Sequence, residues 1–164
     1  MNAHPKMTSG LTLCVGSTEE FCSVIYKLQY ELQPRAVVRM LRGKNMTSSS
    51  ALFNECAAAL QFPCYFGNNW NAFDECIADL EWLPGDRYLI AIVDGRSVLR
   101  DQPDELEVFF RLLRSVAQEW RETRGIRFEV LMHCTVDEVD AVRQAFGAPI
   151  EVVPVGELSG LLTA

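Results

Sequence analysis

Hydrophobic and polar positions follow two different periods along this chain. Short, continuous apolar runs predict buried strands, whereas apolar residues spaced three and four positions apart predict amphipathic helices. The predicted strands are Leu11–Val15, Ala36–Gly43, Arg87–Asp94, Ile126–Cys134 and Glu151–Val153. The predicted helices run from Ser17 to about Leu32, from about Ser50 to Gln61, from Asn68 or Asn69 to about Trp82, from Asp101 to Trp120 and from Thr135 to about Phe146.

Two of the predicted helices begin with the same polar pattern. Ser17 is followed three residues later by Glu20, and Thr135 is followed in the same way by Glu138. This spacing is typical of a capping box, in which each side chain bonds the other residue's backbone N–H. The tail beyond the last predicted strand is expected to be weakly ordered.

The alternation of strands and helices predicts the fold class. It is typical of an α/β domain with a small, mostly parallel sheet and packed helices. The run Arg87–Asp94, RYLIAIVD, has no alternating polar side and therefore indicates a strand that is buried on both faces.

Composition favours a globular protein with a basic partner. The chain has 164 residues, 49% of them apolar and 23% charged, which predicts one domain and no general disorder. The net charge of −7 disfavours binding to nucleic acid, whose phosphates attract Lys and Arg. The same charge favours a cationic protein.

The N-terminal residues and the cysteines are used to predict the cellular compartment of the protein. The opening residues MNAHPKMTSG contain no apolar run, so we predict no signal peptide and a cytoplasmic protein. The longest uncharged span, Cys56–Phe73, contains Pro63 and Gly67, so no membrane span is expected. The six cysteines form no CxxC pair. They are therefore predicted to be reduced core thiols, with no metal or cofactor site.

The most informative segment is FPCYFGNNWNAFDECIADLEWL, residues 62–83. At 100° per residue, an apolar stripe forms one face of its helix, and polar residues form the other. Between Asp74 and Asp86 there are five acids and no base. The stripe consists of Trp70, Phe73, Ile77 and Leu80, and the opposite face consists of Asn71, Glu75, Ala78 and Trp82, flanked by Asp74 and Asp79.

Three interpretations of this acidic face remain open. It can be an ordinary solvated helix surface, a surface for a basic partner, or a catalytic carboxylate site. Catalysis has the weakest support. His4 lies near the start of the chain, His133 ends a buried strand and is predicted to be structural, and Asp74 and Glu75 diverge by about 100° around the helix.

The segment resembles the signature of the barstar family, the intracellular inhibitors of barnase-like ribonucleases. An aromatic pair and a glycine precede a helix with a fixed order of polar and apolar positions. The resemblance covers about residues 36–134, which leaves a strand–helix extension at 1–35 and a helix–strand extension with a tail at 135–164. The matching residues are Tyr65, Phe66, Gly67, Asn69, Trp70, Asn71, Ala72, Phe73, Asp74, Glu75, Cys76 and Ile77.

The resemblance implies which residues meet the partner. Family members lay this helix and the preceding loop into the active-site cleft of a secreted ribonuclease. The family's first helix aspartate falls on Asn71, its tryptophan on Asp74, and its central, phosphate-mimicking aspartate on Glu75. The partner-binding residues expected on this basis are Tyr65, Gly67, Asn68, Asn71, Asp74, Glu75, Ala78, Asp79 and Trp82.

The sequence therefore supports a leading hypothesis and two rivals. The first is a non-enzymatic, bacterial immunity protein that binds and occludes the active site of a basic ribonuclease. The second is an adaptor or regulatory module that has the same fold and a different protein partner. The third is a small enzyme with an unrecognised carboxylate site.

Overall fold

A computed structural model describes residues 10–164, and residues 1–9, including His4, lie outside the described part. Five parallel strands and six α-helices confirm the predicted α/β fold. The strands are β1 (Leu11–Val15), β2 (Ala36–Arg42), β3 (Arg87–Val93), β4 (Arg127–Cys134) and β5 (Glu151–Pro154). The helices are α1 (Thr18–Glu31), α2 (Ser49–Leu60), α3 (Trp70–Asp79), α4 (Leu106–Glu119), α5 (Val139–Phe146) and α6 (Leu158–Thr163).

The strands form one sheet in the order β2-β3-β4-β1-β5, and every neighbouring pair is parallel. The first strand in the chain thus lies between β4 and β5. Its Leu11 is in register with Val130, and its Thr12 with Glu151. The central strand β3 is almost wholly buried, which confirms the prediction made from its continuous apolar run, and β4 is buried except at Arg127.

Helices cover both faces of the sheet and create two cores. On one face, α2, α3, α4 and α5 pack over residues such as Ile90 and Val130. On the other face, α1 and α6 pack over residues such as Leu89 and Leu131. The longest α-helices, α1 and α4, have 14 residues each. None of the helices within residues 10–164 combines the length and the hydrophobicity that crossing a membrane requires.

The prediction of a weakly ordered tail is wrong. The tail forms α6, whose Leu158 and Leu162 are buried against the α1 side of the sheet. A buried ion pair adds an anchor, because Arg87 contacts Glu129 at 2.7 Å through Nε and donates from Nη1 to the Leu162 carbonyl at 2.6 Å. The tail contains too few turns for its leucine spacing to give a strong helical signal. The hydrogen bond between Arg87 and the Leu162 carbonyl joins residues 75 positions apart, so no local pattern predicts it.

Two predicted helix limits differ from the observed ones. The helix expected to reach about Trp82 ends at Asp79, because Leu80 adopts a left-handed conformation with φ of 48°. The helix expected from Asp101 begins at Leu106, after a 3₁₀ turn at Pro103–Glu105. Beyond its C-terminal end, the backbone continues as a π-helical turn at Trp120–Arg124.

The predicted structural role of His133 is confirmed. Its side chain is fully buried, its Nδ1 accepts from the Asp94 N–H at 3.3 Å, and its Nε2 lies 3.0 Å from the Gly16 carbonyl oxygen. With Nδ1 as the acceptor, Nε2 is the donor, so both ring nitrogens are used. The imidazole therefore joins the carboxyl ends of β1, β3 and β4.

The six cysteines are free, as predicted. The expectation that they lie in the core holds for Cys14, Cys56, Cys76 and Cys134, whereas Cys22 is half-buried and Cys64 is exposed. Burial raises the pKa of the Cys134 thiol to about 11 and raises that of the Cys22 thiol, with a smaller contribution from Asp94. Cys64 departs from the core prediction because it lies in the turn that precedes α3.

Thiol modification should therefore be strongly selective. Under native conditions at neutral pH, a thiol-reactive disulfide should modify Cys64 first, because it is the exposed cysteine. Cys22 should react more slowly, and the buried four only on unfolding. Peptide mapping after timed labelling measures this order, and equal labelling of Cys56 and Cys64 in the folded protein would contradict the structure.

Candidate protein-binding surface

The loop before α3 is held by two aromatic anchors. Phe62 and Phe66 lie 5.1 Å apart between ring centroids, and Phe66 also packs edge-on against Phe53 at 6.0 Å. The backbone turns between them, where the Phe66 N–H donates to the Pro63 carbonyl at 2.9 Å. Between these anchors, Tyr65 points outward with 79% of its surface exposed. The loop therefore presents Tyr65 on an ordered turn.

Asparagines form the entry to α3. Asn68 adopts the left-handed conformation, with φ of 50°, which Asn tolerates better than most residues. Asn69 is the N-cap, because its Oδ1 accepts from the Ala72 N–H at 2.9 Å, while its Nδ2 donates to the Gly67 carbonyl at 3.1 Å. A Cβ at Gly67 would lie 3.1 Å from Asn69 Nδ2 and would press on the cap. The special backbone conformation of this turn thus belongs to Asn68, whereas Gly67 provides space.

The apolar stripe of α3 fixes the rotation of the helix. Phe73 and Ile77 are buried, as their spacing predicts, and Trp70 is half-buried. The Phe73 ring lies within 6.0 Å of the rings of Phe53, Phe62 and Phe109. Since this stripe faces the core, the opposite side of the helix must face solvent.

The exposed side of α3 carries the predicted polar residues. Asn71, Asp74 and Glu75 are exposed, and Ala78 and Asp79 are half-buried. Neither Asp74 nor Glu75 forms an ion pair with any residue in 10–164. Of the five acids in the span, Asp86 contacts Arg35 at 4.0 Å, in an exposed pair. The centre of the surface is therefore negative, and no group in the described part of the chain neutralises it.

Trp82 occupies a different position from the one its helical spacing predicts. Because α3 ends at Asp79, Trp82 lies in the following turn. Its indole N–H donates to the Leu60 carbonyl at 2.9 Å, and its ring packs against Phe62 at 6.2 Å. The half-buried Trp82 supports the base of the loop.

The N-terminal end of α3 is tied to the start of α4. The Trp70 indole N–H donates to the Glu105 carboxylate, and the Trp70 ring packs against Phe109 at 6.3 Å. Glu105 immediately precedes α4. This contact fixes the N-terminal end of α3, next to Asn71 and Tyr65.

The C-terminal end of α3 is tied to the π-helical turn that follows α4. The Trp120 indole N–H donates to the Ala78 carbonyl at 3.0 Å. Arg124 donates to the same carbonyl at 2.9 Å and to the Asp79 carbonyl at 3.1 Å, and its guanidinium lies 4.4 Å from the Trp120 ring centre. A cation at this end also complements the partial negative charge of the helix terminus.

The sequence did not reveal these ties. Glu105, Trp120 and Arg124 are 35 to 46 residues away from their partners, so no local pattern links them to α3. Arg124 also brings a positive charge to the Asp79 end of the acidic face, which the count of acids between Asp74 and Asp86 does not show.

The buried thiol beneath the acids adds no charge. Cys76 lies on the core side of α3, next to the exposed Glu75 and three residues before the half-buried Asp79. Burial raises the pKa of the Cys76 thiol, and the neighbouring Glu75 and Asp79 carboxylates raise it further. The thiol is therefore protonated at neutral pH.

These features define a parallel α/β protein that carries an acidic, solvent-facing helix on a rigid support. A family model described as Barstar (barnase inhibitor) matches residues 36–133. This match spans more than half of the 164 residues, so the chain belongs to the barstar family. It covers β2 to β4 with α2, α3 and α4, and it excludes β1, α1, α5, β5 and α6. A search of curated proteins found no match.

Truncation of Phe73 should destabilise the fold without altering surface charge. Phe73→Ala removes a ring that is fully buried among other aromatic rings, and such changes cost about 3–5 kcal/mol of unfolding free energy. Glu75→Ala, on the exposed side of the same helix, should change it by no more than about 0.5 kcal/mol. Urea unfolding of both variants measures the difference. An equal, small effect would mean that the helix is rotated differently.

Loss of Arg124 should loosen the last turn of α3 selectively. Arg124→Gln removes the charge and weakens the contacts with the Ala78 and Asp79 carbonyls. Charge–helix interactions of this kind contribute about 0.3–1 kcal/mol, so amide exchange in the last turn should quicken by up to about fivefold. Arg143→Gln on α5 is the control. Hydrogen exchange that is unchanged at residues 76–80 would show that the contact does not hold the helix end.

Proposed function

We propose that this protein is a non-enzymatic inhibitor that occludes the active site of a basic ribonuclease with the exposed face of α3. One observation carries the proposal: Asp74 and Glu75 are exposed, form no ion pair with any of residues 10–164, and lie on a helix within the family match. A ribonuclease cleft that binds phosphates is cationic, so it complements this face in sign. Inhibition by occupation requires no catalytic group on this chain.

The residues of this surface have distinct roles in the proposal. Glu75 stands in for an RNA phosphate, and Asp74 adds a second negative charge beside it. Asn71 supplies hydrogen bonds where the family pattern has an aspartate. Tyr65 supplies aromatic contact from the preceding loop, since exposed tyrosines on ordered backbone are frequent in binding hot spots. Asn68 and Gly67 shape that loop.

The half-buried residues contribute mainly through shape. Ala78 leaves room for a partner side chain next to Glu75, and Asp79 extends the negative surface towards the C-terminal end of α3. Trp82 acts indirectly, because its bond to Leu60 and its contact with Phe62 support the loop that presents Tyr65. The inhibitor would act in the bacterial cytoplasm, where it meets its ribonuclease before secretion.

A second candidate function is an adaptor that uses the same face for a different cationic protein. The observation that favours it is the identity of the α3 residues, because Asn71 is neutral and Asp74 replaces an aromatic family position. Both differences alter the complementarity expected for barnase itself. The two functions are separated by whether ribonuclease activity falls when the complex forms.

The direct test is a ribonuclease inhibition assay. Barnase and several small, basic secreted ribonucleases are each titrated with this protein, and RNA cleavage is followed at low and at high salt. Stoichiometric inhibition of at least one ribonuclease, weaker at high salt, supports the proposal. If micromolar protein leaves every ribonuclease active, the inhibitor function is rejected. Binding to a cationic protein through Glu75 without inhibition supports the adaptor.

Truncation of Glu75 should weaken the complex far more than truncation of a peripheral acid. If Glu75 is desolvated against cationic partner groups, its removal leaves them unpaired, which typically costs 2–5 kcal/mol or more, a magnitude for which barnase–barstar is the standard example. Glu75→Ala should therefore raise Kd at least about tenfold, or roughly 1.4 kcal/mol. The effect should appear mostly in the dissociation rate.

Asp86→Ala is the matched control for this prediction. Asp86 is exposed and lies beyond α3 in a weak pair with Arg35, so its removal should alter mainly the association rate and its salt dependence. Both variants should fold with unchanged stability. Equal, small effects of the two substitutions on Kd would reject α3 as the binding face.

A further inference from the structure

A groove separates α4 from α5 on the flank of α4 away from α3. Its volume is about 610 Å³, and it opens next to a smaller cavity of about 150 Å³. Leu106, Ala145 and Phe146 line both spaces, so the two are continuous. Consecutive residues mark the two flanks of α4, because Phe109 contacts Phe73 of α3 whereas Phe110 stacks on Phe146 of α5.

Two arginines project into the larger space. Arg111 and Arg114 are three residues apart and therefore lie on one side of α4. Neither forms an ion pair or a side-chain hydrogen bond with another residue of the described chain. Arg114 is half-buried, and its Nη2 is covered by protein atoms without a hydrogen-bond partner.

A partly desolvated cation of this kind gains more from an anion than a fully hydrated one does. The Nη2 of Arg114 has already lost its water, and the lower local dielectric strengthens a charge pair. The planar guanidinium group also matches the oxygen geometry of a carboxylate or a phosphate, which it can bind through two hydrogen bonds. Asp104 and Glu107 line the same groove and would repel an anion from their end, which leaves the arginine end for the charged group.

The smaller cavity is more apolar than the groove, although Arg96 also lines it. Its walls are mostly apolar, and the rings of Phe110 and Phe146 are stacked 3.9 Å apart with their planes 10° from parallel. This cavity is also lined by Met132, Val142 and Leu106. A mostly apolar recess next to a pair of cations suits a ligand that has a charged head and a short hydrocarbon chain.

We infer that the α4–α5 groove binds a small amphiphilic anion, whose carboxylate or phosphate lies against Arg111 and Arg114 and whose apolar chain enters the cavity beside Phe110. The site depends on α5, which lies outside the family match, and it uses none of the residues of the α3 surface. It is therefore a second binding site, independent of ribonuclease inhibition.

Calorimetric titration of the full chain with simple probes tests the inference. Hexanoate and hexyl phosphate carry both features, hexanol carries only the chain, and acetate and inorganic phosphate carry only the charge. At least one of the first two should bind with 1:1 stoichiometry and at least tenfold more tightly than all three controls. The tighter of the two identifies the head group as a carboxylate or a phosphate.

Variants locate the binding. The double variant Arg111→Gln/Arg114→Gln should weaken binding of the amphiphilic anion at least tenfold, whereas Arg143→Gln, on the exposed part of α5, should leave it unchanged. Ala145→Phe narrows the junction of the two spaces from an exposed position without altering charge and should also abolish binding. Three results would each overturn the inference. Hexanol could bind as tightly as hexanoate and hexyl phosphate, or neither hexanoate nor hexyl phosphate could bind at millimolar concentration. The arginine double variant or Ala145→Phe could also fold and bind the amphiphilic anion as tightly as the unchanged protein does.

Discussion

The attachment of α3 to α4 is the constraint on which the proposed binding surface depends. A helix of ten residues has little stability by itself and must be held by tertiary contacts. Phe73 and Ile77 fix its rotation, Trp70 ties its first turn to Glu105, and Arg124 holds its last carbonyls. The acids on the other side are therefore ordered before a partner arrives, which reduces the entropy that binding costs.

The elements outside the family match contribute to the support of this surface. β1 lies inside the sheet between β4 and β5, and α6 is anchored through Arg87 and Glu129 on the face opposite α3. His133 connects the ends of three strands. The same chain thus presents an acidic helix on one flank of α4 and an arginine-lined groove on the other. If both proposals hold, this separation of charge would let the two ligands of opposite sign bind without competing.

Local and periodic signals allowed much of the fold to be predicted. The burial of Phe73 follows from helical spacing, and the Thr135–Glu138 capping box forms as its sequence indicates. Features that depend on distant partners were not predictable: Arg124 reaches α3 across 45 residues of sequence. Trp82 was predicted to lie on α3, but the helix ends earlier because Leu80 adopts a left-handed conformation, which a leucine in a sequence seldom indicates.

The most direct test of α3 as the inhibitory surface is hydrogen exchange of the protein alone and in complex with a ribonuclease that the titrations find to be inhibited. Added protection should be concentrated in residues 65–79, the loop and α3, whereas α1, α6 and the α4–α5 groove should exchange as they do in the free protein. Protection centred on α1, or on the groove between α4 and α5, with α3 unchanged, would contradict the claim that the acidic helix is the inhibitory surface.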